Sequence, residues 1–189
     1  MENVKYGLLN QTQEILNCLN FNTGVLDSNQ IFLINSAVGN YCGEAVFCDN
    51  VQHGALSRIT STVNDSNTLC PNFWDKYSEI KVEMVTLDSF LEKHPDVHPS
   101  FVKIDVEGAG AMVLKGAISM LHQYKPMFNC EFHSLDEERE MNKLLEDADY
   151  KGIIFHSDGS MSLCCPGNSG GNYIHASDPR ISHLNLRME

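Results

Sequence analysis

The run FVKIDVEGAGAMVLKG, Phe101 to Gly116, decides how this chain folds. Its first part, Phe101 to Val106, is short and rich in β-branched and aromatic residues, as strands are. The next segment, Ala109 to Tyr124 (AGAMVLKGAISMLHQY), has its apolar residues at helical spacing and predicts one amphipathic helix. Beyond it, Met127 to His133 (MFNCEFH) reads as a second strand, Leu135 to Ala148 as a charged helix and Tyr150 to His156 as a third strand. Ser157-Asp158-Gly159 then turns the chain into a hairpin with Ser160 to Cys164. After a loop from Pro166 to Gly171, Asn172 to Ala176 reads as a last short strand. Strand, helix, strand, helix, strand requires right-handed crossovers, and so a mostly parallel sheet with helices on its faces and the hairpin as an antiparallel edge. The fold class is α/β.

Upstream the pattern is less regular. Asn3 to Leu19 carries apolar residues at roughly helical spacing and predicts a helix. Gln30 to Val38 (QIFLINSAV) reads as one strand closed by Gly39-Asn40, and Glu44 to Cys48 as another. Residues 49–79 are rich in Asn, Ser, Thr and Asp and read as a long surface loop, a feature that is uncommon unless it binds something. Ile80 to Val85 alternates apolar and charged residues, as a half-exposed strand does, and Thr86 to Lys93 predicts a short capped helix.

Composition bounds the function. The chain has 189 residues, 42% of them hydrophobic and 20% charged, which suits one domain with a real core. Its formal charge of −12 repels phosphate backbones, so no nucleic acid partner is expected. No apolar stretch is long enough to span a bilayer and the first ten residues lack a signal-peptide pattern; the expectation is a cytoplasmic protein without membrane insertion. The seven cysteines are odd in number and scattered without a Cys-x-x-Cys pair, which argues against a disulfide framework or a structural zinc site.

The candidate chemistry lies at the strand ends, where open α/β sheets place ligands. One strand ends Lys103-Ile104-Asp105-Val106-Glu107-Gly108, and its neighbour ends Cys130-Glu131-Phe132-His133. Period-two alternation puts Lys103, Asp105 and Glu107 on one side, and Glu131 and His133 on one side of theirs. Fully buried strands are normally continuous apolar runs, so acids and bases at these tips need a reason. Ion pairing (Lys103–Glu131 or Asp105–His133), with Asp105 or Glu107 capping the next helix, is one. A convergent site is the other. The stretch Gly108-Ala109-Gly110-Ala111-Met112-Val113 is similar to a dinucleotide-binding fingerprint, but its third glycine is Val113, and Asp105 and Glu107 sit where a pyrophosphate needs positive potential. A cationic ligand suits that charge better. Asp105, Glu107, Glu131 and His133 also have the donor types of a Mg²⁺ or Mn²⁺ site, which would make a metal-assisted transferase or hydrolase.

Together these segments resemble the FkbM-type methyltransferase family. VTLDSFLEKHPDVHPSFVKIDVEGAGAMVLKGA (Val85 to Ala117) is similar to the family's core, with KIDVEG and a later LKGA its specific signal. KPMFNCEFHS (Lys125 to Ser134), NSAVGNYCGEAVF (Asn35 to Phe47) and His53 to Ser57 keep the family's order. The resemblance implies a Rossmann-like class I sheet and transfer of a methyl group from S-adenosylmethionine, mostly to hydroxyl oxygens of a small-molecule or glycan acceptor. It also implies adenine-side contacts around Ser36 and Ala37, Asp105 facing the methyl-transfer zone, and Glu107 beside it as a further cofactor-binding residue. The sulfonium of that cofactor is cationic, which agrees with the acidic strand tips. His133 or Asp105 then takes a proton from the acceptor, with Glu131 orienting His133.

Two departures qualify the resemblance. Gly110 stands where the family usually has an acid. The family's first strand and glycine-rich turn, which cradle the methionine part of the cofactor, have no counterpart in this sequence, and Met1-Glu2 falls near the ribose-binding acid. The expectation is therefore an N-terminally truncated domain, a fragment or inactive by itself, with weak or absent cofactor binding. The alternative is a non-catalytic or partner-completed binding module.

Overall fold

A computed structural model describes residues 6–9, 31–50, 58–59, 77–164 and 170–183. These fall into two compact units, divided between Val85 and Thr86.

The first unit holds β1 (Tyr6–Leu9) beside β2 (Ile31–Ile34) in parallel register, and a four-stranded sheet ordered β3-β6-β4-β5. In that sheet β3 is Ala37–Val38, β4 is Gly43–Asn50, β5 is Arg58–Ile59 and β6 is Tyr77–Val85. Tyr6–Leu9 is thus a strand where a helix was expected, because pairing with β2 satisfies its backbone; the rest of that predicted helix lies outside the described residues. The single strand expected over Gln30–Val38 is divided at Asn35-Ser36 into β2 and β3. The long antiparallel pairing of β4 with β6, Gly43↔Met84 through Asn50↔Tyr77, draws both ends of the expected 49–79 loop into the sheet. Apart from β5, the middle of that loop, His53 included, lies outside the described residues.

The second unit carries the decisive stretch. Thr86 caps α1 (Leu87–Lys93) as its sequence predicts: its Oγ1 accepts the Ser89 N–H at 3.0 Å. β7 (Phe101–Ile104), β8 (Met127–Glu131) and β9 (Tyr150–Phe155) run in the same direction, linked by α2 (Gly110–Lys115), α3 (Ile118–Gln123) and α4 (Leu135–Asp147). β10 (Met161–Leu163) closes the expected hairpin on β9. The correction concerns β11 (Gly170–His175). It inserts antiparallel between β8 and β9, giving the order β10-β9-β11-β8-β7 and a mixed sheet in place of the mostly parallel one. Its last three residues, Tyr173, Ile174 and His175, are buried, so burying them in the sheet's interior is what places the strand there. Gly170 faces Glu131 at φ +144°, and a Cβ on it would collide with the Cys130 carbonyl oxygen; only glycine lets the two backbones close at this point.

The one helix expected from Ala109 to Tyr124 is two. Gly116 ends α2, donating its N–H back to Met112 and Val113. Asp88 of α1 then accepts the Ser119 and Met120 N–H groups at 2.8 and 2.9 Å, providing a fresh start for α3. The break turns Ile118 outward, 43% exposed, while Leu114 and Leu121 stay fully buried. Phe128 and Tyr150 meet edge to face with ring centres 5.4 Å apart, and Met141 and Leu145 are buried too, while Ile153 and Ile174 pack with Met127 in a second buried cluster. Each such side chain contributes about 2 kcal/mol by leaving water, and the parallel ladder from Phe101↔Met127 to Ile104↔Cys130 sets β7 beside β8. No described helix is long and apolar enough to cross a membrane.

Candidate active site at the tips of β7 and β8

Parallel register pairs Lys103 with Asn129 and Ile104 with Cys130, so the residues just past each pair emerge side by side. Ile104 and Cys130 point into the core, and the alternate positions Lys103, Asp105, Glu131 and His133 face outward together. Lys103 Nζ lies 2.8 Å from Asp105 Oδ2 and 2.9 Å from Glu131 Oε1. Those two carboxylates, Asp105 first, raise the lysine's pKa over the opposing cost of its slight burial. His133 Nε2 lies 3.7 Å from Asp105 Oδ1 and 3.6 Å from Glu107 Oε1.

The expected helix cap is supplied by another residue. Neither Asp105 nor Glu107 caps α2; the Gly110 N–H is accepted by Glu137 Oε1 at 2.7 Å. The other oxygen of the same carboxylate accepts the His133 backbone N–H at 2.8 Å. Glu137 sits at the third position of α4, where Ser134 Oγ caps its N–H at 3.1 Å, and it is only 6% exposed. Burial pushes this carboxyl's pKa up, but the His133 ring and the two backbone donors outweigh that and hold it below the usual carboxylate range. His133 Nδ1 faces Glu137 Oε2 at 3.6 Å, a separation for charge attraction rather than a formed hydrogen bond. Glu137 first, then Glu107 and Asp105, raise the imidazole's pKa against the penalty of partial burial.

Sequence reasoning missed Glu137 as part of this cluster. A signal existed: Ser134-x-x-Glu137 has the spacing of a capping box, in which the acid folds back over the helix start. Here it folds back one residue further, onto His133 and across to Gly110.

Of the other expected residues, Ser36 and Ala37 belong to the first unit. Ala37 is fully buried in β3, and Ser36, 6% exposed, donates its hydroxyl to Glu83 at 3.5 Å. In the second unit the Gly108–Val113 segment does not offer a phosphate cradle, since its Gly110 N–H is already taken by a carboxylate. For a metal, Asp105, Glu131 and His133 each bring a ligand atom within 4.8 Å of the others. The Lys103 ammonium, however, already bridges Asp105 and Glu131 as their cation.

The arrangement is an imidazole among acids beside a backbone-anchored carboxylate. Four carboxylates (Asp105, Glu107, Glu131, Glu137) surround one lysine and one histidine, so the donor set favours a positively charged ligand and a group that gives up a proton.

Comparison with known proteins agrees with this reading of the fold. No curated protein matches the chain. Among solved structures, the crystal structure of methyltransferase FkbM from Methylobacillus flagellatus KT is similar with a TM-score of 0.54 at 14% identity. The alignment covers 90% of this chain and 36% of that one, so this chain spans about a third of its length. The methyltransferase FkbM domain family matches residues 10–151, which include both strand tips and the start of α4. The chain belongs to the FkbM methyltransferase domain family.

Proposed function

We propose that this chain serves S-adenosylmethionine-dependent O-methylation of a hydroxyl on a small-molecule or glycan acceptor, with His133 Nε2 as the proton acceptor. The observation that carries this reading is the placement of His133, whose Nε2 faces Asp105 and Glu107 while its other nitrogen faces a buried carboxylate. When bound, the cofactor supplies an electrophilic methyl group on a cationic sulfur. The acid-rich strand tips fit such a charge, and Asp105 and Glu107 are the residues that would hold it. Ser36 and Ala37 stand as adenine-side candidates on family resemblance alone.

The chain's own residues account for the proton. An acceptor hydroxyl beside His133 is a poor nucleophile until its proton leaves, and an imidazole within hydrogen-bond reach takes that proton as the oxygen–carbon bond forms. Asp105, anchored by Lys103, stabilises the imidazolium that results. Glu131 holds the far side of Lys103 and so fixes Asp105 indirectly, which differs from the direct orienting role expected for it.

The test is transfer of labelled methyl from S-adenosylmethionine to a panel of hydroxyl acceptors, with circular dichroism to verify folding. His133→Ala is expected to lower the rate about 10²-fold, the usual worth of a general base, and Asp105→Asn about tenfold. Rates within a few-fold of the parent for both variants would overturn the assignment.

A further inference from the structure

We propose that Glu137 is the positioning residue of this site: its anchored carboxylate makes Nδ1 the protonated nitrogen of neutral His133 and leaves Nε2 as the basic one.

The geometry begins with immobility. Glu137 Oε1 is held by the Gly110 N–H at 2.7 Å and Oε2 by the His133 N–H at 2.8 Å, so the carboxylate is fixed at both oxygens. Ser134 Oγ secures the turn of α4 that carries it. The ring above has little choice of partner on this side. His133 Nδ1 is buried from water, has no hydrogen-bond partner among the described residues and meets Glu137 Oε2 at 3.6 Å.

An ionised carboxylate only accepts. A bare Nδ1 would therefore point its lone pair at a negative oxygen, in a place where water cannot intervene. A protonated Nδ1 is attracted to the same oxygen. The opposite nitrogen also faces acids, Asp105 at 3.7 Å and Glu107 at 3.6 Å. Their side chains are 41% and 27% exposed, against 4% for Glu137, so water screens them far more. Asp105 is further offset by Lys103, which also holds Glu131. When the imidazolium loses one proton, the less strongly held one is on Nε2.

The catalytic meaning of this assignment rests on the function proposed above, but the assignment does not. A base whose free lone pair always sits on Nε2 needs no ring flip before each turnover. Glu137 thus links the start of α2, through Gly110, to the turn after β8 that carries His133.

The experiment is a long-range ¹H–¹⁵N spectrum of the full chain labelled with ¹⁵N-histidine, recorded without cofactor or acceptor above the histidine's titration. A His133→Gln spectrum assigns the signal among the eight histidines. The expected result is neutral His133 with the proton on Nδ1. A predominant Nε2–H form would overturn the proposal on the parent protein alone, whether or not any variant folds. In Glu137→Gln, whose amide can donate to Nδ1, the balance is expected to move at least several-fold toward Nε2–H, and an unmoved balance in a folded variant also overturns it. If methyl transfer is absent while His133 keeps the Nδ1–H form, the functional reading fails and the Glu137 role stands.

Discussion

Glu137 and Gly110 are 27 positions apart in sequence and joined by a buried 2.7 Å hydrogen bond from the start of α2 to the start of α4. The contact depends on glycine, because a Cβ at position 110 would press on the Met141 sulfur and lie 2.9 Å from the carboxylate oxygen itself. Alanine is worth about 1 kcal/mol more than glycine within a helix, so helix propensity alone favours Gly110→Ala. Overpacking a buried contact costs about 1–3 kcal/mol, which wins. Gly110→Ala is expected to lower the urea midpoint; an unchanged or higher midpoint would show that α2 and α4 can move apart.

Two shifted groups give stability a defined pH window. His133 titrates above its unfolded value of about 6.5, so its contribution is complete below that pH and is lost as pH rises through the folded value. Glu137 titrates below its unfolded value of about 4.3, so its contribution is present above that pH and lost as pH falls through the folded value. The stabilisation these two groups supply should therefore be greatest between about pH 5 and 6 and fall on both sides in the urea midpoint, set against His175, whose burial-lowered pKa favours higher pH. Midpoints that climb steadily to pH 8 would mean that His133 is not held charged by its three carboxylate neighbours.

The same elevation has the opposite consequence for activity. A proton acceptor must first be unprotonated, so kcat/KM is expected to fall on the acid side with a midpoint above the ordinary histidine value. Charge-neutral Glu107→Gln should draw that midpoint downward, measured as the shift of the acid limb between parent and variant.

Lys103 fills the position a dication would need. Treatment with EDTA is expected to leave methyl transfer unchanged, and Mn²⁺ should bind Lys103→Met more tightly than the parent, read by electron paramagnetic resonance. Activity that disappears with EDTA and returns with Mg²⁺ would establish the metal-assisted alternative.

Cys130 lies under the site, 1% exposed, and burial with the nearby Glu137 charge pushes its thiol up to about 12. At pH 8 it carries almost no thiolate. Iodoacetamide should leave it unmodified in the native chain and label it after unfolding, as mass spectrometry of tryptic peptides would read; rapid native labelling contradicts the packing of β8.

Much of the second unit was legible along the chain because its signals are local. Thr86 three residues before Ser89 specifies a cap, Phe101–Ile104 and Met127–Glu131 specify strands by composition, and alternation places Asp105 and His133 on the outward side of neighbouring tips. These features need only neighbours in sequence. Three others needed the fold. The insertion of β11 between β8 and β9 depends on where buried Tyr173 to His175 find an interior, and no local pattern states that. The break between α2 and α3 depends on Asp88, which reaches Ser119 from 31 positions away. Glu137 reads as one acid among three at a helix start, and becomes the anchor of the site only when packing buries it and adds the Gly110 N–H, from 27 positions away, to the nearby His133 N–H. Sequence by itself determined which acids and bases stand at the strand ends, since alternation is a property of the backbone. Tertiary structure alone decided which of them is dry, and a charge counts for most where water cannot screen it.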